Sequence, residues 1–124
     1  MQNAKIFLVE DHPDMLQSLR EMLDNNGHTV VLEASDLEEV LRITNSGELK
    51  NSGADIAIVD GNFPEKKGGE VLFKGPAAAK AIKGTNLPIK VIAHTMAEKE
   101  FATYGDVYVR KTNSKLLLET IASL

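Results

Sequence analysis

The stretch Ile56-Ala57-Ile58-Val59-Asp60 decides the fold that this sequence predicts. Its consecutive apolar residues, mostly β-branched, predict a strand that is buried on both faces, as the interior strands of parallel sheets are. A carboxylate at the end of such a strand is costly unless it has a partner. The stretch therefore predicts a parallel sheet with an important acid at its carboxyl edge.

Short apolar runs of the same kind lie on both sides of this stretch, and segments with helical periodicity separate them. Pro13 stands where a first helical residue is tolerated, and Leu16, Leu19 and Leu23 follow at helical spacing. Strands that alternate with helices imply right-handed crossovers, a parallel sheet and helices on both of its faces. The predicted strands cover residues 5–9, 29–32, 56–59, 91–93 and 107–109.

Two further segments carry helix-start signals. Residues 35–38, Ser-Asp-Leu-Glu, have the form of a capping box and open a helix with an apolar face of Leu37, Val40 and Leu41. Residues 113–114, Asn-Ser, open a last helix.

Composition and charge exclude several classes of protein. The chain has 124 residues, which fits a single domain over residues 1–124. It has no cysteine, so thiol catalysis and cysteine-ligated zinc are excluded. Its net charge of −4 argues against a nucleic-acid-binding face, and no apolar run approaches the length that spans a bilayer. We expect a cytoplasmic domain, since acids follow the N-terminal apolar run too early for a secretory signal.

Polar side chains follow the predicted strands at the points where the strands end. Glu10 and Asp11 follow the first strand, Asp60 the third, Thr95 the fourth and Lys111 the fifth. Since open parallel sheets bind ligands beyond the carboxyl ends of their strands, we expect these side chains to converge. Crowded carboxylates repel one another unless a cation neutralises them, and oxygen ligands favour Mg²⁺. A lysine and a hydroxyl opposite the acids suit a phosphoryl group, toward which Asp60, central in the sheet, is best placed to act as the nucleophile.

Simpler interpretations of two of these residues stay open. Asp11 is placed to cap the helix that begins at Pro13, and Arg110 and Lys111 together have the form of a solvated surface pair. Because Asp60 and Lys111 are expected at the same edge of the sheet, we favour a role for Asp11 as a metal ligand.

Four segments carry a resemblance to a known family. They are VEDHPDMLQSLREML at residues 9–23, IAIVDGNFP at 56–64, VIAHT at 91–95 and YVRK at 108–111. In this order, at the strand ends, they resemble the receiver domain of response regulators in two-component signalling, over residues 6–124. The resemblance implies a flavodoxin-like, doubly wound α/β fold, with a five-stranded parallel sheet of order 2-1-3-4-5 and helices on both faces.

The resemblance also implies which residues bind the metal and the phosphoryl group. Glu10, Asp11 and Asp60 would bind Mg²⁺ together with the backbone carbonyl of Asn62. Asp60 would accept a phosphoryl group from a phosphohistidine on a histidine kinase or a histidine phosphotransfer protein.

A switch residue and two phosphoryl ligands follow from the same resemblance. Thr95 and Lys111 would hold the phosphoryl oxygens, and Tyr108 would move with Thr95 as the state changes. Such a domain signals to a downstream protein rather than to nucleic acid, and it is not a turnover enzyme.

Two departures from the family pattern are visible. The stretch from Asp60 to Thr95 is several residues longer, so either a third helix begins near Gly69 and breaks at Gly75-Pro76, or an enlarged loop precedes a short helix that begins at that proline. We favour the second. The stretch from Thr95 to Lys111 is several residues shorter, so the family's fourth helix is short or missing. Because that helix commonly carries dimerisation, we expect a monomer, or a dimer that uses another face such as the first and fifth helices.

Two alternative functions compete with the phosphorylation switch. The shortened helix, and Thr112 where the family usually has a proline, favour a degenerate receiver that binds proteins without phosphorylation. The acids also resemble those of haloacid-dehalogenase-like phosphohydrolases, which carry a second aspartate two residues after the nucleophile. That position is Asn62 here, which cannot exchange a proton, so turnover of outside substrates is not expected.

Two residues are expected to set the lifetime of a phosphoryl group on Asp60. The resemblance places Met96, directly after Thr95, where the family usually has a small residue that lines the entrance to the site, so its side chain would partly cover Asp60. The amide of Asn62 would instead orient a hydrolytic water. We expect the steric effect of Met96 to dominate.

Overall fold

Five parallel strands form the central sheet of the computed structural model, which describes residues 1–124. Its strands are β1 (Lys5–Val9), β2 (Thr29–Ala34), β3 (Ile56–Val59), β6 (Lys90–Thr95) and β7 (Val107–Arg110), and a separate hairpin consists of β4 (Phe63–Pro64) and β5 (Val71–Leu72). The sheet has the order β2-β1-β3-β6-β7, which is the predicted order 2-1-3-4-5 for its five strands taken along the chain. All four neighbouring pairs are parallel, as predicted.

Helices cover both faces of the sheet and create two cores. Along β3, the side chains of Ile56 and Ile58 belong to one core, whereas those of Ala57 and Val59 belong to the other. The first core includes α1 (Pro13–Asn25) and α5 (Ser114–Ser123), and the second includes α2 (Leu37–Asn45), α3 (Glu48–Ser52) and α4 (Gly75–Lys83). None of these helices is both long enough and apolar enough to cross a membrane.

The starts of the first two helices correct two sequence-based interpretations. Nδ1 of His12 accepts from the Met15 amide at 3.4 Å and caps α1, so Asp11 is not the cap. Asp36 alone caps α2, because its carboxylate accepts from the Glu39 amide at 2.7 Å. Thus the four-residue capping box was wrong in detail, although the helix itself was correct.

The apolar face of α2 also differs from the predicted one. Leu37 and Val40 are buried as expected, but Leu41 is 41% exposed and Ile43 takes its place in the core. The short helix α3 was not predicted, because it lies between Gly47 and Gly53 and glycines are typical of loops in a sequence. In the structure the φ angles of these glycines are 85° and 70°.

The long segment after Asp60 contains the β4–β5 hairpin and then α4. Phe63 is fully buried and anchors the hairpin in the core with α2 and α4. The helix begins at Gly75 with a proline in its first turn, which confirms the preferred interpretation of an enlarged loop before a short helix.

The short segment between β6 and β7 contains only one turn of 3₁₀-helix, Lys99–Phe101. This confirms that the family's fourth helix is nearly absent. Gly105 makes the short connection possible, because a methyl group there would lie 2.6 Å from the Ala93 nitrogen and 2.7 Å from the Val107 oxygen. The chain therefore lies directly against β6, where a side chain has no room.

Candidate functional site

Three carboxylates converge at the carboxyl edge of the sheet. Glu10 and Asp11 follow β1, and Asp60 follows the adjacent central strand β3. Their carboxylate oxygens include a set that lies within 4.8 Å of one another. Glu10 and Asp60 are buried and Asp11 is partly exposed, so the cluster opens to solvent on the side of Asp11.

Lys111 completes this cluster from the end of β7. Its Nζ lies 2.7 Å from Oε1 of Glu10 and 3.0 Å from Oδ2 of Asp60. The Lys111 side chain is only 14% exposed, so the interpretation of Arg110 and Lys111 as a solvated pair was wrong for the lysine. β6 lies between β3 and β7 in the sheet, so the ends of β3 and β7 are two strands apart at the same edge. The long side chain of Lys111 spans this distance to Asp60.

The electrostatics of the cluster favour a bound cation. Burial and the charge of Glu10 raise the pKa of Asp60 from 3.8 to about 6, against the opposing effect of Lys111 and the Asn62 amide. Burial and the same glutamate also raise the pKa of Asp11. One ammonium therefore does not neutralise three carboxylates, and a divalent ion with oxygen ligands suits the remaining charge.

The few hydrogen-bond donors around the Glu10 carboxylate support the same conclusion. Its Oε1 is shielded from solvent and has no partner other than the Lys111 ammonium. Its Oε2 accepts from the His12 amide at 3.1 Å. Burial lowers the pKa of Lys111, but hydrogen bonds and charges from Glu10 and Asp60 raise it overall, so this partner stays protonated. The donor set thus fits Mg²⁺.

Thr95 lies beside the residue that follows Asp60. It is fully buried, and its Oγ1 accepts from the Ala97 amide at 3.2 Å. A methyl group on Gly61 would lie 2.6 Å from this Oγ1. The hydroxyl predicted to hold a phosphoryl oxygen therefore lies beside Gly61, the residue that follows Asp60, and Gly61 leaves the space that it needs.

Asn62 contributes its backbone to the site. Its amide donates to Oδ1 of Asp60 at 3.4 Å, a long contact, and its side chain is exposed. The predicted metal contact of its carbonyl stays a prediction.

Two tyrosines connect the site to the segment between β6 and β7. The hydroxyl of Tyr108, the predicted switch residue, donates to the Ala97 oxygen at 3.2 Å. The hydroxyl of Tyr104, which sequence reasoning missed, donates to the Val59 oxygen at 2.8 Å, just before Asp60. Burial and the charge of Asp60 raise the pKa of Tyr104 well above its ordinary range, so its hydroxyl stays a donor. One sequence signal for it was available: it is one of only two tyrosines in the chain.

His94 is a further buried titratable group near the cluster. It is 2% exposed, and burial together with the charge of Lys111 lowers its pKa to about 4. It is therefore neutral at physiological pH and adds no positive charge to the site.

The site lies at one end of a fold that known proteins share. A family model described as the response regulator receiver domain matches residues 6–107. A candidate transcriptional regulator of Pseudomonas aeruginosa is 29% identical over 129 residues, covering 98% of this chain and 56% of the relative. The chain thus spans about half the length of the curated relative that it matches.

Solved structures agree with the family model. A LuxR-family two-component response regulator from Aurantimonas is 25% identical, with a TM-score of 0.75 over 98% of this chain and 84% of that chain. A LuxR-family DNA-binding response regulator from Staphylococcus aureus is 23% identical, with a TM-score of 0.72 over 97% of both chains. The response regulator domain of Thermotoga maritima CheB is 20% identical, with a TM-score of 0.72 over 98% of this chain and 96% of that one. The last two show the fold alone, but the family model covers most of the chain, which therefore belongs to the response regulator receiver domain family.

Proposed function

We propose that this domain is a phosphorylation-dependent switch in which Asp60 takes a phosphoryl group from a phosphohistidine in a Mg²⁺-dependent reaction. The donor is a histidine kinase or a histidine phosphotransfer protein, and the phosphorylated domain acts on a downstream protein. The proposal assigns the domain to the cytoplasm. One observation carries it: the Asp60 carboxylate lies 3.0 Å from the Lys111 ammonium, inside a cluster of three acids.

The residues present supply the parts of a phosphoryl transfer. An Asp60 carboxylate oxygen forms a bond to phosphorus, while the phosphorus–nitrogen bond to histidine breaks and its electron pair stays on the imidazole. The Lys111 ammonium and the Thr95 hydroxyl stabilise the charge on the phosphoryl oxygens. A Mg²⁺ ion held by Glu10, Asp11, Asp60 and the carbonyl of Asn62 would neutralise the negative charge that carboxylates and phosphoryl group bring together.

The burial of Asp60 supports a role as acceptor rather than as a structural acid. Its side chain is only 7% exposed, and this burial raises its pKa. Keeping the carboxylate ionised at this position therefore costs free energy. Proteins retain such a group where chemistry requires it, and a raised pKa in a cleft is typical of a functional site.

The proposal also says that the domain does not turn over outside substrates. Asn62 occupies the position two residues after the acceptor, and an amide cannot act as a general acid or base there. Hydrolysis of the acyl phosphate then restores the free aspartate and ends the signal.

Incubation with acetyl phosphate and Mg²⁺, read by intact-protein mass, tests the proposal. We expect the mass of one phosphoryl group to be added to the wild type, and no addition to Asp60→Asn or in the presence of a chelator. Asp24→Asn is the matched control, since Asp24 is exposed at the far end of α1. An unchanged wild-type mass with several donors, although Mg²⁺ binds, would favour the phosphorylation-independent binding module.

A further inference from the structure

The hairpin β4–β5 is fixed beside the acceptor site at both of its ends. Phe63 in β4 is fully buried, which anchors the start of the hairpin in the core. After β5, the Lys74 amide donates to the Leu72 oxygen at 2.9 Å, and the Gly75 amide donates to the Gly61 oxygen at 3.0 Å. The residues between these bonds, including Phe73, therefore follow a fixed path along Gly61.

The ring of Phe73 meets the site at Gly61, the residue next to Asp60. A methyl group on Gly61 would lie 3.3 Å from Cε1 of Phe73 and 2.6 Å from Oγ1 of Thr95. The ring edge and the threonine hydroxyl thus converge on the same side of Gly61. Met96, which the sequence placed at this entrance, is 50% exposed, whereas Thr95 and Phe73 supply the side-chain atoms that a methyl group on Gly61 would meet first.

Tyr104 fixes the orientation of the Phe73 ring. The two rings have an edge-to-face arrangement, with centroids 6.2 Å apart and an interplanar angle of 73°. Tyr104 is itself held by its hydrogen bond to the Val59 oxygen. Because edge-to-face pairs stabilise a specific geometry, the exposed ring of Phe73 has a preferred position rather than a free one.

The hairpin also lies beside the acids of the site. Pro64 and Val71 of the hairpin line the same cleft of about 480 Å³ as Glu10 and Asp11. Phe73 itself is 44% exposed, so its removal opens the entrance without creating a core cavity.

We propose that Phe73 is the gate of the Asp60 site: its ring restricts the access of water and small phosphodonors and so lengthens the lifetime of the acyl phosphate. The effect on the acyl phosphate rests on the proposed function, since it requires that Asp60 is phosphorylated. The expected effect of Met96 on the same entrance stays a prediction.

The reaction that the gate slows is hydrolysis. The oxygen of a water molecule forms a bond to phosphorus, the bond between phosphorus and the Asp60 oxygen breaks, and the electron pair returns to the carboxylate. The proton of the water passes to solvent, and inorganic phosphate leaves. A ring that excludes water from the entrance lowers the rate at which water attacks the phosphorus atom. It does not change the groups that take part in the reaction.

The lifetime test compares Phe73→Ala, Phe73→Trp and the control Leu72→Ala, an exposed apolar residue of the same hairpin. Each protein is labelled with acetyl phosphate and Mg²⁺, the donor is removed, and the loss of the label is followed by intact mass. We expect Phe73→Ala to accelerate both labelling and loss by about tenfold. Phe73→Trp, which keeps a ring, and Leu72→Ala should stay close to the wild type.

A second test measures access without phosphorylation. The chain has no cysteine, so Asp60→Cys introduces the only thiol, and its alkylation by iodoacetamide reports access to the acceptor position. We expect Phe73→Ala to raise the alkylation rate of Asp60→Cys several-fold, and Leu72→Ala to leave it unchanged.

The two tests separate the gate from the proposed function. A wild type that acetyl phosphate never labels, with Phe73-dependent alkylation, overturns the proposed function and supports the gate. A labelled wild type whose label lifetime and thiol reactivity are both unaffected by Phe73→Ala overturns the gate. A faster loss of label in Leu72→Ala and Phe73→Ala alike also overturns it, because the hairpin as a whole would then be responsible.

Discussion

Lys83 at the end of α4 and Asp106 before β7 form an ion pair, with 2.6 Å between Nζ and Oδ1. The other carboxylate oxygen of Asp106 accepts from the Val91 amide at 2.8 Å. Asp106 thus ties the segment that replaces the family's fourth helix to both β6 and α4. Burial raises its pKa, but the hydrogen bonds from Lys83 and Val91 and the charges of Lys83 and Lys90 lower it overall.

Asp106→Ala should destabilise the fold more than Lys83→Ala. The first change leaves the Val91 amide without its partner and should cost about 1–2 kcal/mol, whereas an exposed ion pair alone is worth less than about 1 kcal/mol. Since the pKa of Asp106 is lowered in the folded state, its contribution is present above the ordinary carboxyl pKa and is lost as the pH falls below it. Urea unfolding at neutral and acidic pH measures both effects. An equal loss in the two variants would show that the amide contact is unimportant.

Asp60→Asn should stabilise the metal-free protein at neutral pH. A carboxyl whose pKa rises from 3.8 to about 6 on folding favours the folded state below 3.8, and this advantage is lost as the pH rises through 6. The asparagine removes that ionisation cost, so we expect a gain of about 1–3 kcal/mol at pH 7.5 and almost none at pH 4. Urea unfolding with a chelator tests this, with Asp24→Asn as the control. A wild type that is as stable as Asp60→Asn at pH 7.5 would contradict it.

Mg²⁺ should bind the wild type and raise its Tm. Ligands that bind only the folded state stabilise it by mass action. Asp11→Ala removes one of the three carboxylates and should weaken the affinity on the order of tenfold or more. Titration calorimetry and thermal unfolding measure the two quantities. Unchanged Mg²⁺ affinity in Asp11→Ala would mean that this carboxylate is not a ligand.

Gly61→Ala and Gly105→Ala should separate function from stability. The methyl group of Gly105→Ala meets backbone atoms of Ala93 and Val107, which cannot move, so we expect a loss of about 2–4 kcal/mol. The methyl group of Gly61→Ala meets only side-chain atoms, namely Oγ1 and Cβ of Thr95 at 2.6 and 3.2 Å and Cε1 of Phe73 at 3.3 Å, which can shift more easily than backbone. We therefore expect a smaller loss of stability but slower labelling by acetyl phosphate. Urea unfolding and labelling rates compare them, and a normal labelling rate in Gly61→Ala would contradict the role of Thr95.

The segment between β6 and β7 should not support the family's usual dimer. It contains only the 3₁₀ turn Lys99–Phe101, so the helix that commonly carries dimerisation is missing. We expect a monomer, or a dimer through another face such as α1 and α5. Light scattering with and without acetyl phosphate gives the mass. A dimer that Phe101→Ala disrupts would show that the β6–β7 side is used after all.

The sequence by itself was enough to predict the sheet and most of the site. The alternation of apolar runs and helical periods is a local property of the sequence, and it was enough to predict the strands and most of the helices. The strand order followed from the resemblance to the family. The acids Glu10, Asp11 and Asp60 were predictable because parallel strands bring their carboxyl ends to one edge. The lengths of the two connections after Asp60 and Thr95 were enough to predict an enlarged loop and a lost helix.

Only the tertiary structure decided how those two connections surround the site. The hairpin carries Phe73 to Gly61, and Tyr104 reaches the Val59 oxygen across the sheet edge. Neither contact has a local signature, because each joins residues far apart in the chain and depends on how the cores pack. For Lys111 the sequence left two interpretations open, a phosphoryl ligand at a strand end and a surface lysine beside Arg110. The tertiary structure decided between them, because β7 lies two strands from β3 in the same sheet and the Lys111 ammonium there contacts the buried carboxylates of Glu10 and Asp60.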